Sequence, residues 1–205
     1  MRKFGARSLI VALLALVTVG LTASAGATNA MACGSEQDSR AFAAALPQVN
    51  PGDRGPEVRG MQHRLAELGY GLRGTGLYAD NTLGAVKDFQ RKHGINDSGI
   101  VGAKTWQKLV GVLPLGRTST PAEELHQMQP GAHNPRGVEL LAIYFERLPN
   151  AGAVPAWGSP VYHQGWQQVV REFQRSVGIN DSGIVGVQTW RALARVTAVA
   201  GQWGC

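Results

Sequence analysis

The chain has 205 residues, with 20 Lys and Arg against 14 Asp and Glu, 44% hydrophobic residues and two cysteines. The basic residues are scattered rather than gathered in runs, which excludes the basic stripe expected of a nucleic-acid binder.

Residues 1–27 read as an export signal. Arg2, Lys3 and Arg7 form a positive start, and Ser8–Leu21 is an uncharged apolar run. Ala23-Ser24-Ala25 and Ala25-Gly26-Ala27 both offer the small-residue pattern that a signal peptidase cuts. The apolar run is shorter than the ~20 residues that span a bilayer, so no membrane anchor is expected after cleavage. The segment removes three of the 20 basic residues and no acidic one, leaving 17 against 14. A secreted or wall-associated monomer follows as the expectation. In an oxidising compartment Cys33 and Cys205 are expected to pair rather than stay free. A lipid anchor on Cys33 is the weaker alternative, since Ala30 stands where such a signal places Leu.

Residues 28–49 form an Ala-rich extension, with Arg40–Leu46 as a short helix. A first module is expected over 50–112. Pro56 suits a first helical turn, and Val58, Met61, Leu65 and Leu68 share one helical face. Gly69-Tyr70-Gly71 ends that helix, and a Gly-rich loop follows. Asp80 is the expected N-cap of a second helix that turns Leu83, Val86 and Phe89 inward. A third helix, Ala103–Val110, is expected to bury Trp106 and Leu109.

Much of this module occurs twice. Gly94–Gly102 is repeated without change at Gly178–Gly186, and 16 of 24 positions agree between Val86–Leu109 and Val170–Leu193. Asn96-Asp97-Ser98-Gly99 is a dense turn signal, and Gly94 and Gly178 sit where helix C-caps are expected. Residues 113–134 contain Pro114, Pro121 and Pro130 and read as a linker. A second module is expected over 135–197, followed by a tail at 198–205. Val138, Leu141, Phe145 and Leu148 reproduce the first apolar face. However, Ala142 takes the place of Gln62, Trp166 takes that of Thr82, and the loop 149–165 is longer. Trp157 and Trp166 are expected as exposed aromatics.

These residues carry a resemblance. Gly55-Pro56-Glu57-Val58, Met61-Gln62-His63-Arg64-Leu65, Gly69-Tyr70, Gly76-Leu77-Tyr78, Ala85-Val86, Phe89-Gln90, Ser98-Gly99-Ile100-Val101-Gly102 and Thr105-Trp106 follow in order. In that order and spacing the first module resembles the type 1 peptidoglycan-binding domain, a three-helix accessory module of cell-wall hydrolases. Ala79 and Ser98 depart from its usual glycine and acidic residue. The second copy matches well only in its second half. The resemblance implies an all-α chain of two small three-helix bundles in tandem, with peptidoglycan as partner and no cofactor.

Tyr70, Tyr78, Asp80, Asn96, Asp97 and Ser98 are the ligand-binding candidates, because loops on a rigid frame carry binding groups. Phe89, Trp106, Phe173 and Trp190 fall at helical spacing with apolar neighbours and are expected in the cores. Gln90 and Gln174 are expected to bond loop backbone. A catalytic reading has little support. His63, His93, His126, His133 and His163 form no metal-ligand pair, and no nucleophile elbow is present. The reading is therefore a non-catalytic peptidoglycan-binding protein. The alternative is a structural or protein-partner-binding protein that reuses the fold.

Overall fold

Each repeat places its apolar residues at helical spacing between glycine-rich turns, and each forms three helices. The computed structural model describes residues 36–110, 122–148, 154–155 and 158–200. The signal, Cys33, Cys205, Trp157 and residues 113–121 of the expected linker lie outside the described residues. Helix α1 covers Glu36–Ala44. Module 1 contains α2 (Pro56–Glu67), α3 (Asp80–Lys92) and α4 (Ala103–Leu109). A short 3-10 turn, Ala122–Glu124, precedes module 2, which contains α5 (Pro135–Glu146), α6 (Gln164–Ser176) and α7 (Val187–Ala200). Among the described residues the chain is all-α, with four isolated β-bridges and no strand. None of these helices is long and apolar enough to cross a membrane.

The bridges repeat with the modules. Val49 pairs with Val101 and Met128 with Val185, and Arg54 pairs with Leu77 as His133 does with Val161. Each pair clasps the segment ahead of the first helix onto the later turns. The segment 125–134, expected as part of the linker, thus sits on module 2, and its Met128 is fully buried in that core.

One buried glutamine explains why the duplicated stretch reads as it does. Gln90 donates to the Ile100 carbonyl at 2.8 Å and to Thr105 Oγ1 at 3.1 Å, and accepts from the Gly99 amide at 3.0 Å. Gln174 makes the same three bonds with Ile184, Thr189 and Gly183. A buried amide satisfied on all sides fixes the turn on its helix. Gly94 and Gly178 follow the helix ends with φ of 65° and 73°, as their C-cap role requires. Phe89, Trp106, Phe173 and Trp190 are all buried in the two cores. The Trp106 indole N–H also donates to the Pro47 carbonyl at 2.8 Å.

Three local expectations fail. Leu68 is 44% exposed, because α2 ends at Glu67 and the residue turns out at the C-cap. Asp80 is the first residue of α3, not its cap: Ala79 holds the N-cap without a side-chain bond. The carboxylate still lies in the first turn, where the helix dipole favours it. Trp166 is buried rather than exposed.

The two modules are not beads on a string. Both belong to one compact unit. Helix α7 lies along α2, and Val199 of α7 joins the core of module 1. The approach is close because position 60 is glycine. A Cβ there would meet Val199 Cβ at 2.7 Å and the Val196 carbonyl at 2.9 Å. Beside it Arg59 crosses into module 2, its guanidinium 4.9 Å from the Phe173 ring centre and bonded to Ser176 Oγ. Burial pulls the Arg59 pKa down to about 10, so it stays charged at neutral pH.

His63 stands one turn after Arg59. Burial first, and then the Arg59 charge, lower its pKa to about 3. Its Nδ1 is buried without a hydrogen-bond partner. The unfolded chain binds this proton near pH 6.5 and the folded chain only near 3, so acid favours unfolding. The contribution of His63 is complete above about pH 6.5 and is lost as pH falls, by up to about 1.4 kcal/mol per unit. Denaturant unfolding between pH 6.5 and 5, ahead of most carboxylate titration, should show that slope. His63→Leu should flatten it, and an unchanged slope in that variant would refute the assignment.

Candidate functional site

An open groove of about 720 Å³ runs over module 1 between the loop 70–79 and the start of α3. Its floor is organised by a second glutamine. Gln62 on α2 donates to the Leu77 carbonyl at 2.8 Å, Thr82 Oγ1 at 2.9 Å and Thr75 Oγ1 at 3.1 Å. Its side-chain oxygen accepts from the Gly76 amide at 2.8 Å. Gly76 has φ of 71°, a conformation that suits glycine. The loop is thereby pinned from beneath, and its outer groups line the groove.

Those groups are Tyr70, Arg73, Asp80, Asn81 and Asp88. Asp88 holds one end: Lys92 Nζ lies 2.8 Å from its carboxylate, and the Tyr70 hydroxyl bonds it too. Lys92 also stands 5.1 Å from the Tyr70 ring centre. Hydrogen bonds from Lys92 and Tyr70 keep Asp88 below the usual carboxylate range. Burial, and then the bond to Asp88, raise the Tyr70 phenol above its ordinary value. The groove therefore offers a phenol, an amide, a guanidinium and two carboxylates around an apolar strip of Leu72, Leu77 and Ala85. Such a surface matches a ligand carrying amides, hydroxyls and charge.

Of the sequence candidates, Tyr70 and Asp80 line this groove. Tyr78 does not: it is 1% exposed, and its hydroxyl donates to the Gly99 carbonyl at 2.5 Å. Tyr162 makes the same bond to Gly183 at 2.7 Å, which marks the residue as part of the frame. Asn96, Asp97 and Ser98 sit on the duplicated turn, outside the groove lining. Asp97 pairs with Arg91 at 3.1 Å, and Ser98 Oγ accepts from the Ile100 amide at 3.1 Å. Asp181 and Ser182 repeat both arrangements. Arg73, Asn81 and Asp88 were missed by sequence reading. Their only signal is proximity to Tyr70 and Asp80 in the same loop and helix start.

Module 2 solves the same position differently. Ala142 stands for Gln62 and Trp166 for Thr82, so an indole fills the space of the amide network. Trp166 is 1% exposed and lies 6.0 Å from the Phe145 ring, centre to centre. Beside it lies a hollow of about 290 Å³, lined by Val138, Ala142, Pro160 and Trp166 among others. Among the described residues of the second copy, a buried indole thus stands where module 1 has the amide network that floors its groove. Among the described residues no group of His, Cys, Asp and Glu is placed to hold a metal ion.

Gln62→Leu should leave the Gly76 amide and the Leu77 carbonyl without their partner. A cost of about 1–3 kcal/mol in denaturant unfolding is expected, as for a buried polar group left unpaired. A variant as stable as the parent would show that the amide network does not hold the groove.

Comparison with known proteins agrees with this division. Residues 54–109 and 147–193, together 103 of 205 residues, match the family described as "Putative peptidoglycan binding domain". The first match spans all three helices of module 1, and the second begins only at the end of α5. A Kitasatospora aureofaciens protein, named "Uncharacterized protein in bpoA1 3'region", is 33% identical over 97 residues. That alignment covers 45% of this chain and 75% of the relative. The chain belongs to the peptidoglycan binding domain family, with one full copy of the domain and one altered copy.

Proposed function

We propose that this protein is an exported, non-catalytic binder of bacterial cell-wall peptidoglycan, and that the groove of module 1 is its binding site. The observation that carries the reading is the contrast between the copies. The full family match coincides with an open groove rich in hydrogen-bonding groups, and the partial match with a copy in which Ala142 and the buried Trp166 replace the amide network that floors it. Amino sugars and stem peptides present acetamido groups, amides and carboxylates. Asn81 can donate to their carbonyls, the Tyr70 oxygen can accept from their amides, Arg73 can pair a carboxylate, and Asp80 can accept from hydroxyls or amines. The apolar strip at Leu72 and Leu77 suits methyl groups.

A single shallow groove on a wet, polar ligand binds weakly, and a polymeric wall compensates by offering many equivalent sites. The reading includes cleavage after the small residues near Ala25–Ala27, a Cys33–Cys205 bridge and a monomeric chain. Purified insoluble walls test it by sedimentation. The full-length chain should co-sediment and release no soluble fragments. Tyr70→Ala and Asn81→Ala should each weaken retention about tenfold, which is about 1.4 kcal/mol. Failure of the full-length chain to co-sediment would overturn the reading and favour a protein partner. Released fragments would reveal a hydrolytic site instead.

A further inference from the structure

We infer that module 2 is the positioning element of the module 1 groove: it sets the shape of the site from behind rather than forming a second site. The inference takes the groove as the wall-binding site and explains what the second copy does for it. The loop that floors the groove is held from two sides. On the groove side Gln62 accepts from the Gly76 amide at 2.8 Å. On the far side Gly76 lies directly on module 2, where a Cβ would come within 2.0 Å of the Ser176 carbonyl oxygen. No other residue type fits between them.

The neighbouring contacts point the same way. Arg54, one bridge partner of Leu77, reaches the carbonyls of Arg175 and Ser176, each at 3.4 Å. Arg59 bonds Ser176 Oγ, and that hydroxyl donates back to the Phe173 carbonyl at 2.6 Å, so the end of α6 is fixed where the loop meets it. Gly74 lies against the ring of the buried His63, beside Arg59. Helix α2 therefore carries the junction residues Arg59 and Gly60 and the groove residue Gln62 within one turn. A shift of α2 against α7 moves the groove floor.

The test uses the full chain. Gly60→Leu places a side chain where Val199 and the Val196 carbonyl stand and should force α7 away, seen as a larger radius of gyration in scattering. Hydrogen exchange should then show the Gly76 amide losing protection at least tenfold. The Val101 amide, bonded to Val49 within module 1, should keep its protection. Retention on purified walls should fall by a similar factor. Unchanged Gly76 protection, or unchanged wall retention, in the undocked chain would overturn the inference. If Gly60→Leu unfolds module 1, Arg195→Glu sets a carboxylate beside Glu57 at the rim of the junction and carries the same readouts. If the unmodified chain does not bind walls, the wall-binding reading falls, and Gly76 exchange still decides the positioning.

Discussion

The arrangement depends on the backbone-close contact of α2 with α7. Gly60 allows it, and no side chain larger than hydrogen fits without moving Val199 or the α7 backbone. Through that contact a residue of the second repeat enters the core of the first. Three short helices in about 60 residues bury little surface by themselves, and small domains of that size are marginal. Joining two of them over α2 and α7 enlarges the buried interior of both. The junction also accommodates a charged Arg59, whose lost hydration is offset by the Phe173 ring face and the Ser176 hydroxyl.

Duplication and divergence act on different parts of the module. The turn that is identical in both copies is held by Gln90 and Gln174 through the same three bonds, so its sequence is tied to a geometry that tolerates little change. The groove is held by Gln62, whose counterpart is Ala142. Losing the amide removes a set of bonds that only an amide can make there. The indole of Trp166 replaces them with volume and apolar contact, and its ring N–H is left buried without a hydrogen-bond partner. The first copy has the amide network at this position, and the second has a packed indole.

Much of the fold was legible in the sequence because it follows from local rules. Helical spacing placed Val58, Met61 and Leu65 in the core, and the glycines at 94 and 178 marked helix ends. Gln90 and Gln174 were expected on loop backbone and are found there. The site was legible only in part. Tyr70 and Asp80 reach the groove. Tyr78, read as a loop group, is turned inward by its bond to Gly99, a contact 21 residues away that no local pattern shows. Asp97 and Ser98 look like ligand groups but complete their own turn. The junction was not legible at all: Arg59 and Gly60 read as ordinary helix positions until α7 is laid against them. Trp166 looked like an exposed aromatic because its neighbour Ala142, which makes room for it, lies 24 residues earlier.

The most direct measurement is a residue-resolved titration of the full-length chain with soluble disaccharide-peptide fragments released from purified walls, followed by amide chemical shifts. The account predicts that the largest changes cluster at Tyr70–Leu77 and Asp80–Thr82, with smaller changes carried to Ser176 across the junction. It also predicts no saturable change around Ala142 and Trp166. Perturbations centred on module 2, or on the duplicated turns at Asn96–Ser98 and Asn180–Ser182, with the groove silent, would contradict it.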